Sequence, residues 1–156
     1  MQKHIDFIAS QPFLRDMPRE HLDLLARESM PIQFKSGELI LEEGAPANRF
    51  YIILEGHVSI EAHVLDDDPV HIQTIGRGEV LGWSWLFPPY NWHFDARAVT
   101  PVKAIFFYGV RLREMCEENP SLGCSFMRRL SEVVIHRLQG ARNDLVALHQ
   151  KSAHAD

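Results

Sequence analysis

The sequence predicts a mainly β domain, an antiparallel sandwich or barrel, flanked by helices and followed by one long helix. Three observations carry this. From Met30 to Tyr108 apolar residues recur with a period near two, and turn residues arrive at intervals of about eight to twelve positions. On either side of that span the apolar spacing is helical. A chain of 156 residues with 46% hydrophobic content is also long enough for one domain with a proper core.

Taken in order, Ile5, Ile8 and Ala9 sit at helical spacing within His4 to Ser10, a short helix that must lie on something else. Pro18 suits the first position of a second helix, with Glu20 in its first turn and Leu22, Leu24, Leu25 and Ala26 on its buried side; Pro31 ends it. Ile32 and Phe34 then alternate with Gln33 and Lys35. Ser36-Gly37 turns the chain, Leu39 to Leu41 returns, and Glu43-Gly44-Ala45-Pro46 turns again. Phe50 to Leu54 is a continuous apolar strand, Glu55-Gly56 reads as a tight hairpin, and Val58 and Ile60 alternate inward on the strand from His57 to Ala62. Asp66-Asp67-Asp68-Pro69 is an exposed loop tip rather than a cation site, which would need a Gly and a distal Glu at fixed spacing. Val70, Ile72 and Thr74 form the next strand, and Val102 to Tyr108 the last.

A helix follows over Val110 to Glu118. Asn119 as N-cap and Pro120 in the first turn open a longer one, running to about Gln150. Along it Met127, Ser131, Val134, Leu138, Ala141, Leu145 and Leu148 alternate by four and three, a heptad seam with a small Ala141 for close approach and a weak point at Gly140. The seam continues past any strand that could cover it. A homodimer through Val134, Leu138, Ala141, Leu145 and Leu148 is therefore expected, in preference to a helix packed on its own domain.

The stretch from Gly78 to Thr100 does not read as ordinary core. It gathers all three Trp, two Phe and Pro88-Pro89 around a Gly-Glu turn, as a short apolar helical turn, a loop and a strand lining a cavity would.

Composition excludes several functions. A net charge of -5 and a pI near 6.0 argue against a chain whose main work is holding nucleic-acid phosphates. Cys116 and Cys124 lack Cys-x-x-Cys spacing, so neither zinc nor a disulfide is indicated. The N-terminus is no signal peptide and no window approaches the ~18 apolar residues of a membrane span, so a cytoplasmic protein with no membrane partner and no cofactor is expected. His57, His63, His71 and His93 are scattered over separate strands. That leaves a cupin-like metal protein as a lesser alternative, and no nucleophilic constellation suggests an enzyme.

FKSGELILEEGAPANRFYIILEGHVSI, with Gly37-Glu38, Gly44 and Gly56 at its turns, then Gly78-Glu79-Val80-Leu81-Gly82 and the closing Arg97-Ala98-Val99-Thr100, resembles the cyclic-nucleotide-binding domain of Crp/Fnr-type regulators, of the protein kinase A regulatory subunit and of gated channels. The resemblance covers essentially the whole chain. It implies a jelly roll (double-stranded β-helix) with N-terminal helices and a hinge helix over residues 1–118, and a C-terminal dimerisation helix and tail over 119–156. It also implies a ligand cassette after Gly82, in which a Glu directly following that glycine accepts from the ribose hydroxyl and an Arg nine residues further pairs with the cyclic phosphate. Here those positions hold Trp83 and Trp92. An indole cannot neutralise a phosphate, and a buried phosphate without cationic or multiple donors is costly.

A ligand-sensing regulatory domain that does not take cyclic AMP or cyclic GMP in the usual way is thus expected. Its pocket would be lined by Gly82, Trp83, Ser84, Trp85, Trp92, His93, Phe94 and Arg97, with Phe87 and Tyr90 nearby. Its ligand would be nucleotide-like or an aromatic or apolar body, with His93 and Arg97 as the groups able to meet an anion. The alternative is a structural dimerisation module whose Trp side chains plug the roll. The helix-turn-helix of a transcription regulator does not follow before Asp156, so no DNA binding by this chain alone is expected. Signalling would then pass through the hinge and long helices to an output protein that the sequence does not identify.

Overall fold

The computed structural model describes residues 2–154. Helices α1 (Gln2–Ala9) and α2 (Arg19–Glu28) precede eight strands: β1 (Met30–Phe34), β2 (Leu39–Leu41), β3 (Arg49–Glu55), β4 (Val58–Ala62), β5 (Val70–Ile75), β6 (Val80–Leu81), β7 (Asp95–Ala98) and β8 (Val102–Tyr108). Helices α3 (Gly109–Glu118) and α4 (Pro120–Ala153) complete the chain. The strands form two antiparallel four-stranded sheets, ordered β1-β8-β3-β6 and β2-β7-β4-β5, which is the expected jelly roll.

The continuous apolar run of β3 has a direct cause. Successive strand residues point to opposite faces, and here both faces are buried. Phe50 and Ile52 face a core built with the helices, joined by Ile105 and Phe107 of β8. Tyr51 and Ile53 face the interior of the roll, joined by Val102, Ala104 and Phe106. The two central strands of one sheet therefore serve two separate cores. On the helical side Ile5, Ile8, Leu22, Leu25 and Ala26 pack with Leu122, Phe126 and Leu130 of α4.

Several expectations need correction. Glu55-Gly56 is a turn, with Gly56 at φ +93°, but not a hairpin: β3 and β4 belong to opposite sheets, so the chain crosses between layers there. Apolar alternation is the same for a strand that pairs with its successor and one that faces it, which is why the spacing misleads. An added Cβ at Gly56 would lie 2.3 Å from the Pro101 carbonyl oxygen, so the glycine serves the crossing. The hairpin lies one turn later, where β4 and β5 pair across the exposed acidic loop. Pro18 caps α2 from outside instead of opening it, and Leu24 is only half-buried. Pro31 lies within β1, an edge strand where its missing N–H costs no interior ladder bond.

The side chain of Asn119 accepts from the backbone N–H of Leu122 at 3.3 Å, as an N-cap should. The helix it opens runs to Ala153. Its first turns pack into the helical core; beyond them Leu138, Leu145 and Leu148 are each about two-thirds exposed (67%, 68% and 65%).

Both cysteines are free thiols. Burial first, and the neighbouring Glu117 second, push the Cys116 thiol up to about 11, whereas Cys124 is exposed. The thiolate is the reacting form, so at pH 8 a disulfide exchange reagent should modify Cys124 quickly and Cys116 slowly. A Cys124→Ser variant should lose the fast phase, and a single fast phase for both thiols would contradict this placement.

Candidate functional site

The stretch between β6 and β7 is where the two cores meet. Gly82 at φ +89° turns the chain out of β6, and Ser84–Leu86 form one short 3-10 turn. The segment then loops through Pro88 and Pro89 and returns along Ala45 to Ala47. Gly44 N–H donates to the Trp92 carbonyl at 2.9 Å, Trp92 N–H to the Ala45 carbonyl at 3.0 Å, and Ala47 N–H to the Tyr90 carbonyl. The backbone of Trp92 is held from both sides, and its side chain has one place to go.

That place is the interior of the roll. Trp92 is 4% exposed and packs with Leu41, Ala47, Tyr51, Val58 and Leu81. Its ring lies against Gly82, where an added Cβ would come within 2.9 Å of the indole and equally close to the Arg49 carbonyl. Gly82 thus leaves room for an indole where the family's resemblance puts a nucleotide.

Trp85 takes the opposite side. Fully buried, it belongs to the helical core, with ring centroids 5.9 Å from both Phe50 and Phe126. The expectation that it lines one space together with Trp92 is not met, because the 3-10 turn rotates it to the other face of the sheet. Gly109 at the start of α3 seats directly on it: an added Cβ there would lie 2.6 Å from the Trp85 Cβ. Trp83 is half-buried, 5.9 Å from Phe94, and carries the Arg137 guanidinium on its face at 4.8 Å. Ser84 is buried and His93 exposed. Arg97 is already engaged on the sheet, 3.5 Å from the Glu61 carboxylate and donating to the Gly37 carbonyl at 3.0 Å, so it is not a free anion receptor. Phe87 is exposed. Of the residues expected in one pocket, the structure joins Gly82 to Trp92 and Trp83 to Phe94.

Spacing alone missed the side chains that tie this segment to the helices. Arg113 of α3 lies 3.9 Å over the Tyr90 ring and donates to the Trp85 carbonyl at 3.1 Å. Arg137 of α4 donates to the Val80 carbonyl, while Gln73 of β5 donates to the Arg137 carbonyl at 2.8 Å. Asp95, 1% exposed, is held by the Glu43 N–H and by His63 at 2.8 Å. A cavity of about 370 Å³ opens beside the roll with Trp92, Tyr51 and Arg49 in its wall. Burial raises the Tyr51 hydroxyl above its ordinary range against the opposing effect of Arg49. Among the described residues no group of three His, Cys, Asp or Glu is arranged to hold a metal ion, and no helix is long and apolar enough to cross a membrane.

Eight strands in two sheets, a short turn after a positive-φ glycine and flanking helices define the jelly-roll class of fold. Residues 31–119 match the family model described as the cyclic nucleotide-binding domain. The chain belongs to that family. It is 27% identical over 124 residues to the CRP-like cAMP-activated global transcriptional regulator of Mycobacterium tuberculosis, covering 80% of this chain and 54% of that protein. To the nitrogen fixation regulation protein FixK of Bradyrhizobium diazoefficiens it is 30% identical over 122 residues, covering 78% and 48%. The chain thus spans about half the length of these curated relatives, which are regulators by name. Among solved structures it is similar to the regulatory subunit of a cAMP-independent protein kinase A from Trypanosoma brucei (TM-score 0.69, 26% identity, 84% of this chain and 45% of that one). A cyclic nucleotide-binding domain from Methylobacillus flagellatus shares the fold (TM-score 0.77, 16% identity, covering 94% and 82%).

If Trp92 fills the roll, Trp92→Ala should cost about 3–5 kcal/mol, the range for removing a buried aromatic ring. Urea denaturation measures it; a loss under about 1 kcal/mol would mean that the ring packs against nothing that matters.

Proposed function

We propose that this chain is a regulatory domain whose roll is filled by its own indole instead of by cyclic AMP or cyclic GMP, and whose output is the position of α3 and α4. The observation that carries the reading is Trp92, 4% exposed and seated on Gly82 where a phosphate-binding Arg would stand in the family's pattern. A cyclic nucleotide held in the usual pose would have to expel this ring and then bury an anion among apolar side chains. The family contains precedents on both sides, since one relative is named for activation by cAMP and another for independence from it.

The links to the helices support the second half. Trp85 against Phe126, Arg113 on Tyr90 and Arg137 on Trp83 connect the cassette to both helices, so a shift in any of the three is felt by the others. A ligand or partner acts through such links only by favouring one helix position over another. Residues 1–118 would then be the responding unit and 119–156 the output, acting in a homodimer through Val134, Leu138, Ala141, Leu145 and Leu148, with an enzyme function not part of this reading. The exposure of the three leucines supports the dimer, because a monomer would leave that apolar stripe in water.

Calorimetric titration of the wild-type chain with cyclic AMP and cyclic GMP should show no saturable heat up to about 1 mM, where binding amounts to only about 4 kcal/mol. Saturation well below that, with quenching of Trp fluorescence, would overturn the filled roll. For the dimer, the double variant Leu138→Asn/Leu145→Asn should keep the circular dichroism of the wild type and halve the mass seen by light scattering. A mass unchanged by the double variant would rule out this stripe as the interface.

A further inference from the structure

The larger cavity, about 760 Å³, lies outside the roll, between the segment Pro12 to Asp16, the turn Gly78–Val80 and one face of α4 from Ser125 to Arg137. Its volume falls within the range of small-molecule sites, about 300–1,000 Å³. None of its lining comes from the stretch between Gly82 and Arg97.

Its walls hold five basic side chains (Arg15, Arg128, Arg129, His136, Arg137) against three acidic ones (Asp16, Glu79, Glu132). Some of these are structural. Arg129 donates to the carbonyls of Phe13 and Arg15 and to the Ser125 hydroxyl, which pins the N-terminal segment to α4. The Glu79 carboxylate accepts from the Gly76 N–H at 2.7 Å and so closes its own turn.

Arg137 is different. One face of its guanidinium lies on Trp83 and one nitrogen donates to the Val80 carbonyl, but Nε and Nη1 are shielded from water and have no partner. Among the described residues no carboxylate lies within ion-pairing distance of it, although Glu79 contributes a weaker, longer-range attraction. Burial lowers this group to about 10, which leaves it charged at neutral pH. A shielded cation with two unmet donors is costly to maintain. The partner that a guanidinium fork matches best is an anion with paired oxygens.

We propose that this cavity is an anion-binding site that takes the phosphate of a small phosphomonoester on Arg137, with Arg128 and Arg15 supplying the surrounding positive potential and His136 a further polar group in the wall. The apolar body of the ligand rests on Pro12, Phe13 and Val133. Four arginines against three carboxylates leave the wall net positive, which favours an anionic ligand. The site lies on the face of α4 opposite the Leu138 and Leu145 stripe, so binding and pairing of two chains do not compete. Because its walls come from three elements, an occupant ties the N-terminal segment and the β6 turn to α4 and favours that one arrangement. The proposal goes beyond the regulatory reading and does not depend on whether the roll is filled.

The test uses the whole chain with inorganic phosphate and phenyl phosphate as probes, read by phosphorus NMR and by thermal shift, with phenol as the uncharged control. Both phosphates should bind saturably, phenyl phosphate the more tightly, and phenol should not. Arg137→Gln should weaken binding at least about tenfold, the loss of a charge-assisted contact. Because Arg137 also supports the fold, His136→Glu provides a second reading at an exposed position, where a carboxylate should repel the probe and weaken it severalfold. Lys103→Gln, which removes a surface cation on the roll, should change nothing. Absence of saturable binding to the wild type, or affinities unchanged in both Arg137→Gln and His136→Glu, would overturn the site. Equal weakening by Lys103→Gln would do the same by showing only diffuse attraction.

Discussion

The structure depends on one constraint: β3 and β8 must be buried on both faces at once. A strand in that position has no polar side to spare, and Phe50 to Leu54 accordingly reads as an unbroken apolar run. The sheet that contains it becomes a partition, with a helical core behind it and the roll in front. Any segment that crosses the partition has to contribute to both. The stretch after Gly82 does so by sending Trp85 one way and Trp92 the other, and this division explains why it carries more indoles than either core alone would need.

The partition is also tied to the helices. Trp85 is wedged between Phe50 of the sheet and Phe126 of α4, so it cannot move without disturbing both. Arg113 and Arg137 add directional bonds from α3 and α4 to the same segment, where apolar contact alone would allow sliding. Close packing makes such contacts respond by switching between arrangements more than by gradual yielding. The roll and the long helix are therefore in direct contact through this segment.

Much of this was legible in the sequence, and the exceptions share a cause. Strand positions, the Asn119 cap and the exposed stripe through Leu138 and Leu145 follow from local periodicity and local chemistry, which a linear reading captures. The sheet crossing at Gly56 did not, because a positive-φ glycine marks a turn without saying which sheet the next strand joins. In the sequence Trp85 and Trp92 read as one group because both are indoles near one glycine; the rotation of a three-residue 3-10 turn separates them. Arg97 reads in the sequence as a group able to meet an anion because its partners, Glu61 and Gly37, are distant along the chain. Arg137 was missed altogether: it lies off the heptad stripe, and nothing near it in the chain announces that Trp83 will supply its stacking face.

Charge is distributed here in a way that departs from the family's pattern. In the family's arrangement a carboxylate and a guanidinium stand inside the roll, where an anion can be received. Here both positions are indoles, and the cation nearest the roll's interior is Arg49, over the Phe106 ring and beside Tyr51. Arg97 has turned outward to a strand carboxylate, and Arg137 approaches the cassette from α4 and stacks on the very residue that replaces the ribose-binding Glu. On the reading proposed above, the place to meet an anion is the junction of the roll with the long helix, where Arg137 lines the larger cavity. A group bound at that junction would touch α4 directly, with no need to work through the interior of the sheets.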